Sequence, residues 1–423
     1  MELLDDLDAR GLIHETTDRN ALADRLRAGP VTVYYGMDPS ADSLHTGNLI
    51  GLVMLRRFRQ AGHHPIALAG GATGMIGDPG GRSEERNLLD EETLRRNVEA
   101  IKHQIEQVLG PAGEWTLVDN SDWTRDLPLL AFLRDVGKHV TVNQMLARES
   151  VKARIQSEHG ISYTEFSYML VQAHDYWWLH RHHGCELQIG GSDQWGNILS
   201  GVDLIRRRDG ATVHGLCWPL LTAADGSKLG KTTGARIWLD PQRTSPFELY
   251  QHFIHSGDDE VRRLLAWLTL LPVDEIDKVV ADHQRAPERR AAQRRLAFEV
   301  TAIVHGEPAA RTAEAGTAAW RPSLDPETLR GLEATMPSTT IRAADLPLGI
   351  VDMLVRTGLA PSKSAAARLI AQGGAYVNDT PVGAAEATLS AADFIEGRWA
   401  LVRAGKRNRH LLVLQVDDAG AGR

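Results

Sequence analysis

The first half of the chain alternates short apolar or β-branched runs with longer amphipathic segments. Residues 31–35 and 65–69 predict buried strands on either side of a helix at residues 49–60. Residues 116–118 and 186–189 are later runs of the same strand type. Strands and helices that alternate in this way are typical of a parallel sheet covered by helices. The pattern therefore predicts an α/β, Rossmann-like domain.

Glycine-rich turns follow three of these predicted strands, at Gly36, Gly70-Gly71 and Gly190-Gly191. In open parallel sheets, ligands bind beyond the carboxyl ends of the strands. We therefore expect a ligand site where these turns meet.

The second half of the chain is helical in pattern. Residues 246–254, 259–270 and 287–304 place apolar positions three and four apart. Residues 320–347 lack this periodicity and contain four prolines, which predicts a linker. The predicted domains are residues 1–222, a Rossmann-like catalytic domain; residues 223–325, a helical domain; residues 326–346, a linker; and residues 347–423, a small α+β domain with helices near residues 348–357 and 362–372.

Composition narrows the class of protein. A chain of 423 residues with 43% apolar and 24% charged residues suits a soluble globular protein of two or three domains. Cys185 and Cys217 are too few for a disulfide scaffold. The first residues are acidic, unlike a signal peptide, and the apolar runs fall far short of the ~20 residues that span a bilayer. We expect a cytoplasmic protein.

A turn at residues 37–48 leaves the first predicted strand, enters the first predicted helix, and ends in His45-Thr46-Gly47-Asn48. Backbone N–H groups at a helix N-terminus, with a nearby histidine, suit a bound phosphate. Gly47 has no Cβ, so an adenine ring could approach the backbone closely. A simple helix N-cap explains the same tetrapeptide, so this turn alone does not decide the function.

A second motif, residues 228–232, is a glycine-containing loop with two lysines three apart. Such a loop can neutralise charge that grows on a triphosphate. Together, residues 45–48 and 228–232 resemble the HIGH and KMSKS signatures of class I aminoacyl-tRNA synthetases. The first signature departs from the pattern at Thr46 and Asn48, and an asparagine at the last position can still bond a ribose hydroxyl.

Four longer stretches resemble one family of that class, the bacterial-type tyrosyl-tRNA synthetases. They are residues 34–45, 70–79, 163–168 and 188–197, of which the last is the most diagnostic. The resemblance covers nearly the whole chain. It implies a tyrosine–tRNA ligase, which joins tyrosine to ATP as tyrosyl-adenylate, releases pyrophosphate, and passes tyrosine to the terminal ribose of tRNA(Tyr).

The resemblance also implies a tyrosine site. Its residues are Tyr34, Asp78, Tyr168, Gln172, Asp175 and Gln194. Tyr34 and Asp175 would meet the phenol. The ammonium group would meet Asp78, Tyr168 and Gln172. Tyr168, Gln172 and Asp175 have the spacing of one helix face. A buried aspartate that awaits a phenol rejects phenylalanine, because phenylalanine leaves it unpaired.

The catalytic and ATP-binding residues follow from the same resemblance. The catalytic set is Ser40, His45, Asn48, Lys228, Lys231 and Thr232. The ATP-binding set is Gly36, Asp38, Gly47, Gly191, Asp193 and Lys231. The reaction needs no covalent protein intermediate, so positioning and charge stabilisation carry the rate. Mg²⁺ is expected to arrive with ATP, and neither a tightly bound cofactor nor a dedicated metal site is predicted.

The C-terminal unit resembles a small RNA-binding domain shared with a ribosomal protein. From residue 341 onward the chain has ten basic and eight acidic residues, against 37 and 47 before it. A basic end on an acidic body suits a protein that grips RNA, although a solvated surface strand explains the charge equally well. The implied RNA-binding residues are Lys363, Arg368, Arg403, Lys406, Arg407 and Arg409.

Other interpretations fit less well. His180, His182, His183 and Cys185 are metal-ligand types, but Gly184 interrupts the helix among them. A dinucleotide-dependent dehydrogenase would need a G-x-G-x-x-G turn, which the chain lacks.

Two alternatives lie within the family itself. An RNA-binding relative without activity would be expected to lose Lys228, Lys231, Asp78 or Asp175, and all four are present. A tryptophan-specific enzyme has no need of the polar pair that the resemblance assigns to the phenol. The resemblance also implies a symmetric homodimer, whose contact we expect within residues 132–142.

Overall fold

A computed structural model of the chain describes residues 2–78, 89–111, 113–156, 160–220, 236–318, 326–333, 336–405 and 408–415. The chain divides into two compact units. The first comprises Met1–Asp240 and Gly257–Ala292, and the second Pro241–Ser256 and Gln293–Arg423. The lysine motif at residues 228–232 lies outside the described residues.

The first unit contains a six-stranded sheet in the order β1-β6-β5-β2-β3-β4. Its strands are β1 (Glu15–Thr16), β2 (Thr32–Met37), β3 (His64–Ala69), β4 (Thr116–Asp119), β5 (Cys185–Gly191) and β6 (His214–Trp218). Neighbouring strands from β6 to β4 pair in parallel, and β1 pairs antiparallel with β6. The predicted parallel α/β sheet is therefore confirmed. The four predicted strands are β2 to β5, whereas β1 and β6 were not predicted.

The helices surround this sheet and make up much of the second unit. In chain order they are α1 (Leu3–Ala9), α2 (Arg19–Arg27), α3 (Thr46–Gln60), α4 (Glu91–Leu109), α5 (Ser121–Thr124), α6 (Leu129–Asp135), α7 (Val142–Leu146), α8 (Glu149–Ile155), α9 (Tyr163–His183), α10 (Trp195–Asp209), α11 (Pro246–Ile254), α12 (Val261–Leu268), α13 (Val273–Arg285), α14 (Ala291–His305), α15 (Glu307–Ala318), α16 (Pro326–Glu333), α17 (Ile350–Arg356) and α18 (Lys363–Ala371). No helix in the described part of the chain is long and apolar enough to cross a membrane.

The three helices predicted between residues 246 and 304 are all present, two of them with different bounds. The helix at residues 246–254 has the predicted bounds, and α12 is a shorter form of the one predicted at residues 259–270. The helix predicted at residues 287–304 begins only at Ala291. A short 3₁₀ turn, Pro287–Arg289, precedes it, and Arg290 has a φ of 51°, which a right-handed helix cannot accommodate.

The second unit ends in a five-stranded sheet in the order β10-β9-β12-β13-β7 and a two-stranded pair of β11 with β8. These strands are β7 (Ser338–Arg342), β8 (Leu348–Gly349), β9 (Ala375–Val377), β10 (Thr380–Pro381), β11 (Thr388–Leu389), β12 (Trp399–Ala404) and β13 (Asn408–Gln415). The two helices predicted beside them are α17 and α18. Apolar residues such as Ile350, Leu354 and Leu412 form the core between helices and sheet.

Residues 326–346, the predicted linker, hold regular structure. They contain α16 and β7, and β7 pairs in parallel with β13. Thr339, Thr340 and Ile341 are residue types that favour strands, and Ile341 is fully buried. This segment therefore contributes to the C-terminal sheet, while the division into four domains remains a prediction.

The start of α9 matters most for the site, because this helix carries three of the predicted site residues. Ser162 caps its N-terminus by accepting a hydrogen bond from Glu165 N at 3.2 Å. Its C-terminus ends at Gly184, whose φ of 61° is left-handed and favours glycine. The Glu165 side chain accepts from Arg154 Nη2 at 2.7 Å and from Nε at 3.2 Å. Both side chains are nearly inaccessible, at 3% and 4% exposure.

We predict that Arg154→Met destabilises the chain by about 3–5 kcal/mol, since it leaves the Glu165 carboxylate buried without a partner. The measurement is the free energy of unfolding from urea titration. The matched control is Arg134→Met, which removes a solvent-exposed pair with Asp135 and should change stability little. Equal stability losses in the two variants would contradict the prediction.

Candidate active site

The carboxyl edge of the parallel sheet gathers most of the predicted site residues. Tyr34 and Gly36 lie in β2, Gly191 ends β5, and Asp38 follows β2 directly. The helix α9 contributes Tyr168, Gln172 and Asp175. Their side chains bond to Asp38 at this edge, to α10 and to α5, respectively. These residues lie at the edge of the sheet where the sequence predicts a ligand site, and their roles toward a ligand stay predictions.

At the bottom of the site lie two buried polar groups. Asp175 is 1% exposed and accepts hydrogen bonds from Asn120 Nδ2 at 3.0 Å and Trp123 Nε1 at 2.8 Å. Tyr34 is also 1% exposed, and its Oη has no hydrogen-bond partner among the described residues. Its ring packs against Tyr176 with centroids 5.3 Å apart. A buried hydroxyl without a partner is rare, and it indicates a place where a ligand's polar group can bind.

Burial dominates the electrostatics of this pair. It raises the pKa of Asp175 to about 7, and the hydrogen bonds from Asn120 and Trp123 oppose that rise by favouring the ionised carboxylate. Burial also holds the pKa of Tyr34 well above its usual range, and the nearby Asp175 charge adds to the effect. Tyr34 is therefore a neutral hydroxyl beside a carboxyl group that changes charge near neutral pH.

A chain of side-chain amides leads from α9 to Asp78. Asn197 Nδ2 donates to Gln172 Oε1 at 3.0 Å and to Gln194 Oε1 at 3.1 Å. Gln194 Nε2 in turn donates to Asp78 at 2.6 Å. These bonds fix the orientation of each amide, so that Asp78 is presented as a hydrogen-bonded carboxylate. Asn197 belongs to the diagnostic stretch of residues 188–197 but was not among the predicted site residues.

Asp38 joins the turn after β2 to the rest of the site. It accepts from Tyr168 Oη at 3.1 Å and from Thr73 Oγ1 at 2.8 Å. Thr73 Oγ1 accepts in turn from Asn120 Nδ2 at 3.1 Å. A Cβ at Gly70 would collide with both Thr73 Oγ1 and Asp38 Oδ1, which explains the glycine there. Asp38 thus links the turn after β2 to Tyr168 on α9 and to Thr73 through hydrogen bonds.

His45 is the N-cap of α3, so the interpretation of residues 45–48 as a helix N-cap is correct. Its Nδ1 accepts from Gly47 N at 3.0 Å, and Asn48 Oδ1 accepts from His45 N at 3.2 Å. Because Nδ1 is an acceptor, the neutral ring carries its proton on Nε2. The cap therefore prepares Nε2–H as a donor, which is compatible with a phosphate oxygen.

Of the remaining residues predicted at the nucleotide site, the structure describes only some. Ser40 is exposed on the turn after β2, and Gly47 is exposed in the first turn of α3. Asp193 lies beside Gly191, where a Cβ would approach its Oδ1 to 2.7 Å. Lys228, Lys231 and Thr232 lie outside the described residues.

The predicted RNA-binding residues lie in the second unit and differ in exposure. Lys363 and Arg368 are exposed on α18, and Lys363 pairs with Asp352 at 2.6 Å. The Arg403 guanidinium stacks 3.6 Å from the centroid of the Tyr376 ring, and its side chain is 16% exposed. Burial lowers the pKa of Arg409 to about 10. Lys406 and Arg407 lie outside the described residues.

The histidine cluster at the end of α9 has local partners. His180 Nδ1 lies 2.9 Å from Cys185 O, and the His182 ring stacks on Trp178 with centroids 4.2 Å apart. Across the described ranges, no three histidine, cysteine, aspartate or glutamate side chains are grouped to hold a metal ion.

Comparison with known proteins identifies the family. Residues 26–320 match the model for tRNA synthetases class I (W and Y), and residues 328–412 match a tyrosine–tRNA ligase SYY-like C-terminal domain. The first match spans more than half of the chain. The chain therefore belongs to the class I tRNA synthetases of the W and Y family.

Individual relatives are similar over almost their whole length. The chain is 48% identical over 417 residues to the tyrosine–tRNA ligase of Opitutus terrae, covering 96% of this chain and 98% of that one. It is 49% identical over 418 residues to the tyrosine–tRNA ligase of Mycobacterium tuberculosis H37Rv, covering 96% and 97%. A C-terminally truncated mitochondrial tyrosyl-tRNA synthetase from Aspergillus nidulans superposes with a TM-score of 0.69 at 33% identity, over 75% of this chain and 94% of that one.

The raised pKa of Asp175 predicts a pH-dependent contribution to stability. The folded chain holds this proton to about pH 7, whereas the ordinary value is 3.8, so the folded state loses stability as pH rises from about 4 to about 7. Relative to wild type, Asp175→Asn should gain stability over that window by on the order of 4 kcal/mol. The measurement is the free energy of unfolding at several pH values, with the exposed Asp122→Asn as control. A difference between Asp175→Asn and wild type that does not change with pH would contradict the assignment.

Proposed function

We propose that this chain is a tyrosine–tRNA ligase, which activates L-tyrosine with ATP and transfers it to tRNA(Tyr). The observation that carries the proposal is the pair of buried groups at the bottom of the site, the Asp175 carboxylate and the unpartnered Tyr34 hydroxyl. Together they call for a ligand group that can both donate and accept a hydrogen bond.

A phenol hydroxyl meets this requirement. Its O–H donates to the Asp175 carboxylate, while its oxygen accepts from Tyr34 Oη–H. An indole N–H can only donate, so tryptophan would leave one of the two groups unsatisfied. Phenylalanine would satisfy neither, and leaving buried polar groups unpaired is costly. The site therefore favours tyrosine over both other aromatic amino acids.

The other end of the amino acid meets the opposite chemistry. Asp78 supplies a negative charge for the ammonium group, and Tyr168 and Gln172 supply further hydrogen bonds. The amide chain through Asn197 supports this role, because it holds Gln172 and Gln194 in fixed orientations. Gln194 lies next to Asp78, where the carboxylate of a bound tyrosine would also be within reach.

The reaction proceeds in two displacements. An oxygen of the tyrosine carboxylate attacks the α-phosphorus of ATP, the bond to the β-phosphate oxygen breaks, and pyrophosphate leaves. A hydroxyl of the terminal ribose of tRNA then attacks the activated carbonyl, and AMP leaves. Ser40, His45, Lys228 and Lys231 act at the phosphates, Gly191 and Asp193 hold the ribose, and Mg²⁺ enters with ATP as part of the substrate.

The second unit holds the tRNA. Lys363 and Arg368 are exposed on one helix and suit contacts to phosphates, which position RNA without reading its sequence. The Arg403 guanidinium stacks on the ring of Tyr376, its partner on the neighbouring strand β9, which fixes the orientation of a flat cationic group. Lys406 and Arg407 add two further basic residues to this part of the sequence.

The proposed enzyme is a cytoplasmic homodimer. Large apolar side chains are strongly exposed on α6 and α7, among them Leu129, Leu130 and Val142. A stretch of sequence with several strongly exposed apolar side chains is typical of a surface that a partner covers. It overlaps residues 132–142, where the sequence predicts the dimer contact. The cysteines Cys185 and Cys217 are both free and buried, which agrees with a reducing compartment.

The proposal is tested by pyrophosphate exchange with each amino acid offered separately. We expect exchange that depends on tyrosine, because only its phenol satisfies both Asp175 and Tyr34. A variant such as Asp175→Ala should lose tyrosine-dependent exchange, whereas the exposed Asp122→Ala on α5 should retain it. Exchange that depends on tryptophan, or on no amino acid, would overturn the proposal.

A further inference from the structure

Two buried amide side chains on α4 face the turn that carries the predicted phosphate residues. Asn97 is 6% exposed and Gln104 is 7% exposed. They are seven residues apart, so they lie on the same face of the helix. Neither residue belongs to the site predicted from sequence, and both are polar groups in a helix face that is otherwise apolar, as at Val98 and Ile105.

Each amide bonds to the backbone at one end of that turn. Asn97 Nδ2 donates to Pro39 O at 2.8 Å. Gln104 Oε1 accepts from Leu44 N at 2.8 Å and from Ser43 Oγ at 3.3 Å. Pro39 precedes Ser40, and Leu44 precedes His45. The two amides therefore bond to the backbone directly beside Ser40 and His45, the two residues of this turn that are proposed to act on phosphate.

The same turn is held from a second side. Leu44 O accepts from Leu239 N at 2.8 Å, and Thr46 N donates to Ile237 O at 3.1 Å. Both backbone faces around His45 are thus engaged, one by a short antiparallel bridge and one by Gln104. His45 then has little freedom to move relative to α4.

The helix α4 is itself well fixed. Asp90 caps its N-terminus by accepting from Thr93 N at 2.8 Å. At its C-terminus, Arg56 of α3 donates to Val108 O at 2.9 Å. His45 caps the N-terminus of α3, and Arg56 near the C-terminus of α3 bonds to α4, so the turn, α3 and α4 are held together.

We propose that Asn97 and Gln104 are positioning residues for the ATP side of the site, which hold Ser40 and His45 at the distance that the triphosphate requires. This inference rests on the proposed function. Removing either amide leaves a buried backbone group unpaired, and the turn must then shift to satisfy it. Small displacements of groups that orient a substrate cost large factors in rate.

The tyrosine pocket should be insensitive to these changes. Asp175 is held by Asn120 and Trp123, and Asp78 is held by Gln194. None of these bonds involves α4. The positioning role therefore predicts a defect in the use of ATP without a defect in the binding of tyrosine, which general loss of structure would not produce.

The test is tyrosine-dependent pyrophosphate exchange by the full chain, with KM and kcat measured separately for ATP and for tyrosine. The variants are Asn97→Leu and Gln104→Met, which remove the amide at similar size. The matched control is Gln107→Met, since Gln107 is exposed on the same helix. Gln104→Glu keeps an acceptor for Leu44 N and serves as the conservative variant.

We expect kcat/KM for ATP to fall about 10- to 100-fold in Asn97→Leu and Gln104→Met. The KM for tyrosine should stay at the wild-type value, Gln107→Met should match wild type, and Gln104→Glu should recover much of the loss. Unchanged ATP parameters, or equal losses for ATP and tyrosine, would overturn the positioning role. A wild-type chain without tyrosine-dependent exchange would instead defeat the proposed function, so the two failures are distinguishable.

Discussion

The hydrogen bonds that hold the buried Asp175 carboxylate are the constraint on which the site depends. A carboxylate with 1% exposure is costly to ionise, and burial alone would keep it protonated at neutral pH. The Asn120 and Trp123 donors reduce that cost, and together they orient both carboxylate oxygens. They come from the end of β4 and from α5, whereas Asp175 comes from α9. The position of one carboxylate therefore requires that three separate elements meet correctly.

The polar side chains around Asp175 form a continuous series of hydrogen bonds. Asn120 bonds to Asp175 and also to Thr73, which bonds to Asp38, which bonds to Tyr168. These bonds end at Asp38, at the start of the turn that leads to His45. The bonds from Asn97 and Gln104 hold the backbone of that turn from α4, at Pro39 and Leu44.

The parallel sheet could be predicted because β2, β3 and β5 are apolar runs that are marked by glycine at their carboxyl ends. Gly36 and Gly190-Gly191 lie within the last residues of β2 and β5, and Gly70-Gly71 follow β3. β1 has two residues and exists only through pairing with β6, so no local pattern announces it. Resemblance to a family supplied Asp175 and Gln172. It did not supply Asn120, Trp123, Asn97 or Gln104. In the sequence these four residues look like ordinary polar or aromatic positions. Their bonds to Asp175, Pro39 and Leu44 join residues that are 52 to 60 positions apart. Only the folded chain brings them together.

Tyr34 and Asp175 are proposed to recognise a phenol through paired hydrogen bonds. The most direct measurement is the ratio of kcat/KM for tyrosine to that for phenylalanine in wild type and in Tyr34→Phe. The ratio should fall in the variant, because phenylalanine no longer leaves the Tyr34 hydroxyl unpaired and tyrosine loses one hydrogen bond. An unchanged ratio would contradict it.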